Sequence, residues 1–577
     1  MSRTDSVEVE DSARSEGSIR VSIGLLGNRH RVMLLLLTAA RIAVGLCDLA
    51  VAAAMYWLFV MLQGPPPVHP LWWTPKTVLS AALTTTILVV LRGLMDIASA
   101  RATFRQVQQL HTELLLRLTE GYTQVQWSQF VEWNRSELSG RALHTTGEAA
   151  DFYHRCVEMA ANVVIVAVMT SALVYQSLAA AICLGATMGL FYAGNRFLVR
   201  KKLQIAASRR EVSVRSLQRN LSDLFSSGKE IRTYGNQAFF QQRIRRQAER
   251  VAVNNLHVVF LPQFARIIAD QGTVLVFLAI VIAVEMRQVD LSRLLSVLVF
   301  YFVLSRRLLP LISQISFLAS QMDGSYENVK IVDSELRKCH DNRRVGLPVG
   351  LPDAGMVMQM VRVCFAYRGG VAILQDVNLS MKEGEIVVLY GASGIGKSSL
   401  LNLIAGVSQP QSGIVRVDRA NIAYVPQETP LLDDSIRKNL LFGLPERNDE
   451  ELMRALSVAR LDEFVSAQPL GLDTAVGDNG ALFSGGERQR LGLARAILRG
   501  GRLLLLDEAT SALDEKTERQ VLWNLSASGR AILLVTHRFQ ARAIGDRVIR
   551  LEKGSLIEEP SGQLSARDPS LTSLLTN

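Results

Sequence analysis

A glycine-rich segment, GASGIGKS at residues 391–398, has the composition of a phosphate-binding loop. It follows the apolar run EIVVLY and precedes the helix-favouring run SLLNLIAGV. In this context glycines let backbone N–H groups surround phosphate oxygens, Lys397 reaches the β and γ oxygens, and Ser398 binds Mg²⁺. The segment predicts a nucleoside triphosphate site whose contact residues are Gly391, Ser393, Gly394, Gly396, Lys397, Ser398 and Ser399.

Two carboxylates follow four leucines in the segment LLLLDEAT. A buried strand of this kind delivers the acids at its end to the ligand-binding edge of an α/β sheet. Asp507 is expected to hold Mg²⁺, directly or through water, and Glu508 to orient and polarise the attacking water. Together with the phosphate loop, the two acids predict hydrolysis of a nucleoside triphosphate.

The segment FSGGERQRLGLARAIL, at residues 483–498, begins with residues that can hold a phosphate. Ser484, Gly485 and Gly486 open a strong helical pattern, which puts their hydroxyl and backbone donors at a helix N-terminus. The segment resembles the signature motif of ATP-binding-cassette (ABC) ATPases. That resemblance implies ATP and Mg²⁺ as cofactors and an α/β P-loop ABC ATPase domain. It also implies two ATP sites, each formed where this motif docks on the phosphate loop of a partner subunit.

The same resemblance assigns roles to four more residues. Gln427 in YVPQETP is similar to the Q-loop residue that senses Mg²⁺ and the membrane helices, and Asp514 in SALD to the D-loop acid. His537 in LLVTHR resembles the switch histidine that contacts the γ-phosphate. Tyr367 in CFAYRGG lies where the family stacks an aromatic ring on adenine. The expected catalytic residues are Glu508, His537, Gln427 and Asp514, and the expected metal-binding residues are Ser398, Gln427 and Asp507.

Three positions depart from the family pattern. Phe483 and Glu487 stand where the signature motif has leucine and glutamine, but the Ser-Gly-Gly centre is intact, so we expect function to survive. Ala475 in TAVGDNG replaces the acid of the family's X-loop. The cross-talk contact made by that loop therefore stays open.

The composition indicates a membrane protein with two domains. The chain has 577 residues, of which 49% are hydrophobic and 20% charged, and its mean hydropathy is +0.19. A single core rarely extends beyond about 250–300 residues. Five scattered cysteines without a CxxC pair give no sign of a metal site or a disulfide framework.

Six apolar segments are long enough, or nearly so, to cross a bilayer that needs about 20 helical residues. They cover residues 32–62, 77–96, 157–175, 178–198, 262–284 and 291–312. Many arginines and lysines follow the fourth segment, and the opposite connections carry few, so the long polar stretches and both termini are expected in the cytoplasm. This distribution accounts for the net charge of +10 without nucleic acid.

The predicted fold is a polytopic α-helical membrane domain of six transmembrane helices followed by an α/β P-loop ABC ATPase domain. Residues 1–30 are read as a disordered cytoplasmic tail and residues 31–338 as the membrane domain. Residues 339–355 are read as a linker and residues 356–577 as the ATPase domain. This order resembles the exporter-type half-transporters, in which two copies are needed.

Charged side chains within the spans are candidate substrate contacts, because ionisable groups in a membrane are costly. Arg92, Arg306 and Arg307 fall at similar depths and could bind an anionic amphiphile. The competing interpretation pairs Arg41 with Asp48, and Arg92 with Asp96, on single helical faces, and lets the other two arginines reach headgroups.

The sequence thus predicts ATP-driven transport across a cytoplasmic membrane, of a bacterium by expectation. The substrate is expected to be an exported or flipped amphiphile such as a peptide, lipid-linked sugar, siderophore or drug. An importer or a channel regulator with the same fold is the alternative. The predicted partners are a second copy of the chain, or a related half-transporter, and membrane lipids.

Overall fold

The computed structural model describes residues 24–63, 77–133, 135–176, 201–286, 291–343, 350–367, 370–538 and 542–559, with three isolated positions between 177 and 200. In parts of 201–286 and 291–341 it describes the backbone alone. The chain divides into two compact units. One comprises residues 1–123 and 134–341, and the other comprises residues 124–133 and 342–577.

The described residues among the first 341 fold mainly into helices. These are α1 (Asn28–Gln63), α2 (Val78–Gln124), α3 (Trp127–Glu132), α4 (Arg135–Gly140), α5 (Thr146–Gln176), α6 (Lys201–Ser226), α7 (Gly228–Tyr234), α8 (Gln237–Met286) and α9 (Leu291–Asp341). A π-helical turn, Arg141–Thr145, joins α4 to α5.

Three helices among the described residues are long and apolar enough to cross a membrane, at Asn28–Leu62, Val78–Gln124 and Glu137–Tyr175. The predicted span at 178–198 lies outside the described residues. Those at 262–284 and 291–312 lie within α8 and α9. The helical, apolar character of the N-terminal region is confirmed, whereas the count of six spans stays a prediction.

Helices α1, α5 and α9 share an apolar core. Ile165 and Met169 of α5 are four residues apart, as are Leu304 and Leu308 of α9, and all four are buried against α1. Gly45 of α1 permits the close approach, because a Cβ at this position would overlap the side chain of Ile165.

Two sheets build the C-terminal unit. Strands β1 (Met356–Phe365), β2 (Leu374–Lys382) and β4 (Ser412–Val417) form an antiparallel sheet in the order β2-β1-β4. The larger sheet has the order β5-β6-β7-β3-β8-β9 and is parallel except for its last pair. Its strands are β3 (Ile386–Tyr390), β5 (Ile422–Val425), β6 (Leu503–Asp507), β7 (Ala531–Val535), β8 (Arg547–Glu552) and β9 (Ser555–Glu559).

The central strands are buried along almost their whole length, as expected of parallel strands covered on both faces. The covering helices are α10 (Lys397–Ile404), α11 (Ile436–Leu441), α12 (Asp449–Val458), α13 (Asp462–Ser466), α14 (Gly485–Arg499) and α15 (Glu515–Ser526). Because β6, β7 and β3 are adjacent and parallel, the loops after their carboxyl ends meet at one edge of the sheet.

The segment Gln124–Trp133 belongs to the C-terminal unit although it lies between two helices of the N-terminal unit. Val125 forms an antiparallel bridge with Arg343. The backbone N–H of Gln126 donates to the Asn342 carbonyl oxygen at 3.0 Å.

Candidate active site

The phosphate loop connects the carboxyl end of β3 to α10. Lys397, at the start of α10, is 6% exposed. Its Nζ donates to the carbonyl oxygens of Gly391 and Ala392 at 2.9 and 3.0 Å. Burial lowers the pKa of Lys397, and the charges of Glu508 and Asp507 act in the opposite direction. The loop therefore curls around its own lysine and holds the amine at the sheet edge.

Glycine is required at the base of this loop. Gly396 has a φ of +116°, and a Cβ there would overlap the side chain of Ile373. Gly394 has a φ of +76° and, like Ser393, is exposed at the tip of the loop. A concave run of backbone that excludes side chains is the shape that receives phosphate oxygens, so these residues fit a nucleotide.

Two of the three predicted Mg²⁺ ligands, Ser398 and Asp507, lie together. Asp507 ends β6 and is 5% exposed. Burial raises its pKa, whereas hydrogen bonds from Ser398 and Tyr424 lower it. The Tyr424 hydroxyl donates to Asp507 Oδ2 at 3.5 Å. A buried carboxylate beside a hydroxyl oxygen is a donor set that suits Mg²⁺, and these residues fit that ion.

Glu508 is held by two other predicted residues. Gln427 Nε2 donates to Glu508 Oε2 at 3.1 Å, and His537 Nε2 lies 2.6 Å from Glu508 Oε1. The backbone N–H of Glu508 donates to the Val535 carbonyl oxygen of β7 at 3.0 Å. Its φ of +50° is unusual for a residue with a side chain and costs about 1–3 kcal/mol. The structure therefore brings Gln427, Glu508 and His537 together beside Asp507.

Asp514 and Tyr367 lie at the edges of the site. The Asp514 carboxylate caps α15 by accepting from the backbone N–H of Thr517 at 3.0 Å. Hydrogen bonds from the side chain and the backbone of Thr517 lower the pKa of Asp514. The Tyr367 hydroxyl lies 3.2 Å from the hydroxyl of Ser399. Phe365 is 5% exposed and Tyr367 is 40% exposed, so Tyr367 is the ring with a free surface.

The predicted signature residues begin α14. The Ser484 hydroxyl accepts from the backbone N–H of Glu487 at 3.3 Å, and the Glu487 carboxylate accepts from the backbone N–H of Ser484 at 2.7 Å. This reciprocal capping box uses the glutamate that departs from the family pattern. Gly485 and Gly486 pack close to Ala512, where a Cβ on Gly486 would lie 3.2 Å from the Ala512 carbonyl oxygen.

Sequence reasoning missed Gln489, which ties the signature helix to the loop after Glu508. It is 7% exposed, and its Nε2 donates to the Ser511 hydroxyl at 3.0 Å and to the Glu508 carbonyl oxygen at 3.4 Å. Its Oε1 accepts from the backbone N–H of Ala512 at 2.8 Å. The available signal was a glutamine on the same helical face as apolar residues four and seven positions later.

A second missed group supports the segment that carries His537. Glu518 of α15 is 2% exposed. It accepts from the Thr510 hydroxyl and from Arg538 Nη1, both at 2.6 Å. Arg538 Nη2 donates to the Ser511 carbonyl oxygen at 2.7 Å. Arg538 therefore fixes the backbone next to the histidine to the loop that follows Glu508.

The predicted substrate arginines are arranged differently from the single-helix pairs. Arg92 Nε donates to Asp48 Oδ1 of α1 at 2.8 Å, a shorter contact than the 3.8 Å to Asp96 four residues away. Arg307 Nη2 lies 2.7 Å from Asp48 Oδ2. Arg306 is exposed. Helix α1 therefore supplies a carboxylate partner to Arg307 of α9.

The comparisons agree with this geometry. Residues 374–511 match the family model described as ABC transporter. This match identifies residues 374–511 as an ABC transporter domain. An ATP-dependent lipid A-core flippase of Burkholderia thailandensis is 42% identical over 229 residues, which are 37% of this chain and 38% of the flippase.

Two other relatives extend the comparison. The heterocyst differentiation ATP-binding protein HepA of Nostoc sp. is 32% identical over 352 residues, 58% of this chain and 57% of HepA. The ABC transporter ATM1 of Toxoplasma gondii is 38% identical over 200 residues, 32% of this chain and 18% of ATM1. The chain therefore spans between about a fifth and somewhat more than half of the length of these relatives.

Proposed function

We propose that this chain is one half of an ATP-driven transporter that exports or flips an amphiphile across the cytoplasmic membrane. The observation that carries the proposal is Glu508, held by Gln427 and His537 beside a phosphate loop that wraps Lys397. The long apolar helices of the N-terminal unit supply the membrane-spanning part. The six-span domain, the placement of both termini in the cytoplasm and the bacterial source belong to this proposal.

The proposed mechanism assigns each residue of the site a separate task. Lys397 and the loop glycines bind the triphosphate, and Ser398 with Asp507 would hold Mg²⁺. The bound MgATP supplies the phosphoanhydride bond whose cleavage drives transport. Glu508 accepts a hydrogen bond from water and directs it in line with that bond, while the donors from Gln427 and His537 fix the carboxylate.

The partner in this proposal is a second copy of the chain. Ser484, Gly485 and Gly486 would donate to the γ-phosphate held by the partner's loop, since they lie at the N-terminus of α14. Every catalytic element that two competent sites need is present in one sequence. Mass measurement of the chain expressed alone, combined with ATPase activity, tests this part, and an inactive monomer contradicts it.

The ATPase assignment is tested with two variants of the full chain in nanodiscs. Glu508→Gln is expected to keep ATP affinity and to lower kcat by about 10²–10⁴-fold, because a general base or water-orienting carboxylate contributes that much. Lys397→Ala is expected to weaken ATP binding itself. Wild-type turnover in the first variant, or unchanged ATP affinity in the second, contradicts the roles proposed for these residues.

Transport is tested by screening ATPase stimulation with lipid-linked sugars, peptides, siderophores and drugs. A transporter responds to its substrate with faster hydrolysis, and the response disappears in Glu508→Gln. ATP hydrolysis that no amphiphile stimulates, in protein that also moves no labelled amphiphile between leaflets, contradicts the proposal.

A further inference from the structure

A cluster of three arginines and three carboxylates joins four helices of the N-terminal unit. Its members are Arg41 and Asp48 of α1, Arg92 and Asp96 of α2, Glu158 of α5, and Arg307 of α9. The formal charges sum to zero. A balanced cluster avoids the cost of burying net charge among apolar helices.

Each carboxylate of the cluster lies within 4.0 Å of a guanidinium nitrogen. Arg41 Nη1 donates to Asp96 Oδ1 at 3.2 Å, and Arg41 Nη2 lies 4.0 Å from Glu158 Oε1. Asp48 lies between Arg92 and Arg307, at 2.8 and 2.7 Å from a nitrogen of each. The oxygens of these acids thus already face positive charge.

Some nitrogen donors at the cluster have no acceptor among the described residues. Within the described residues, Arg41 Nε, Arg307 Nε and Asn162 Nδ2 are buried nitrogen atoms with no hydrogen-bond partner. Asn162 is 8% exposed as a whole residue. A buried donor without a partner destabilises the protein, so three such donors are expected to meet an acceptor in the working protein.

All three donors line one cavity of about 140 Å³. Asp96, Glu158 and Gln314 complete its polar wall, and Val44 and Leu311 contribute apolar surface. The volume is enough for several water molecules and therefore for a small oxyanion. The polar lining thus combines the guanidinium groups of Arg41 and Arg307 and the amides of Asn162 and Gln314 with the two carboxylates.

We propose that this cavity binds a phosphate group, with anionic oxygens accepting from Arg41 Nε, Arg307 Nε and Asn162 Nδ2. Taking that phosphate as the headgroup of the carried amphiphile rests on the proposed function. Guanidinium N–H donors match phosphate oxygens well. Repulsion from Asp96 and Glu158 weakens the attraction, which suits a group that must be released again.

The test uses the full chain in an uncharged maltoside detergent with three probes. These are short-chain phosphatidic acid, inorganic phosphate, and diacylglycerol of the same chain length as an uncharged reference. Binding is measured calorimetrically for wild type, Asn162→Leu and Arg307→Gln. Asn162→Leu removes one donor without changing any charge, so it remains informative if Arg307→Gln disturbs the cluster.

Two control variants match the substitutions. Asn220→Leu replaces another buried asparagine, in α6, and Arg101→Gln removes a charge from an exposed position of α2. Phosphate bound at the nucleotide loop is common to every variant and cancels in the comparison.

Phosphatidic acid is expected to bind wild type and both controls, and diacylglycerol to bind none of them. Both cavity variants are expected to lose at least about tenfold in affinity, the value of one charge-assisted hydrogen bond. Equal affinity in wild type and Asn162→Leu overturns the proposal and leaves water as the occupant. Binding of inorganic phosphate as tight as that of the lipid keeps the phosphate site and overturns the headgroup as its source.

Basal ATP hydrolysis is measured on the same samples. Intact hydrolysis without lipid binding contradicts the cavity proposal alone. Absent hydrolysis in wild type contradicts the proposed function instead.

Discussion

Replacing Gln489 with leucine should uncouple the signature helix from the loop that carries the catalytic acid. The side chain links α14 to three points, the Glu508 carbonyl oxygen, the Ser511 hydroxyl and the Ala512 N–H. Leucine has a similar size and keeps the apolar contacts of α14, but it can neither donate nor accept. The substitution therefore removes the polar tie with little change in packing.

The magnitude follows from the geometry of these bonds. Two of them, at 3.0 and 2.8 Å, are well formed, and the third, at 3.4 Å, is weak. Two neutral hydrogen bonds contribute about 1–3 kcal/mol to the free energy of unfolding. If all of this energy holds the loop in its catalytic position, kcat falls by about 5- to 150-fold. ATP affinity stays unchanged, because the contacts of Lys397 are untouched.

Steady-state ATP hydrolysis and equilibrium ATP binding of the full chain in nanodiscs separate an effect on kcat from an effect on ATP affinity. Gln468→Leu is the matched control, since Gln468 donates only a 3.4 Å bond to the Phe464 carbonyl oxygen at the end of a short helix. A kcat for Gln489→Leu within about twofold of that control refutes the reasoning. A fall in ATP affinity with unchanged kcat refutes it as well, because the tie would then serve nucleotide binding.

Three other substitutions test separate features. Glu487→Gln keeps an acceptor for the helix cap but removes a negative charge from the N-terminus of α14, so the free energy of unfolding should fall by about 0.3–1 kcal/mol with little change in ATPase rate; a denaturation curve shows this, and a lost rate would mean that the charge itself takes part in catalysis. Arg538→Ala leaves the buried charge of Glu518 without its ion-pair partner, so the free energy of unfolding should fall by about 3–5 kcal/mol. Glu518→Gln in the same background should restore part of this stability; no rescue would exclude the unpaired charge as the cause. Gly45→Ala should lower the thermal stability of the membrane unit, because its methyl group overlaps α5, whereas Gly93→Ala meets no atom within 4 Å and should not; equal melting temperatures contradict the close packing of α1 and α5.

The prediction of the ATPase site from the sequence rests on local signals. The loop at 391–398 and the acids at 507 and 508 each follow a continuous apolar strand. Parallel strands place such loops at one edge, so the meeting of Lys397 and Asp507 could be inferred without coordinates. The chemistry of Ser484 at a helix start could be read in the same way.

The missed features depend on contacts between distant segments. The i,i+4 spacing of Arg92 and Asp96 predicted a pair on one helix, but Asp48 of α1 lies closer to Arg92 than Asp96 does. Spacing describes one helix at a time and says nothing about which helix lies opposite. Gln489 was missed for the same reason, because its partners lie about twenty residues away along the chain.

The assignment of Gln124–Trp133 to the C-terminal unit has a consequence for genetic engineering. Dividing the gene at the predicted linker would separate two segments that pair with each other, because Val125 and Gln126 pair with Arg343 and Asn342. A chimera that exchanges nucleotide domains would have to carry the ten-residue insert across as well, or it would leave those strand-like partners facing a foreign sequence.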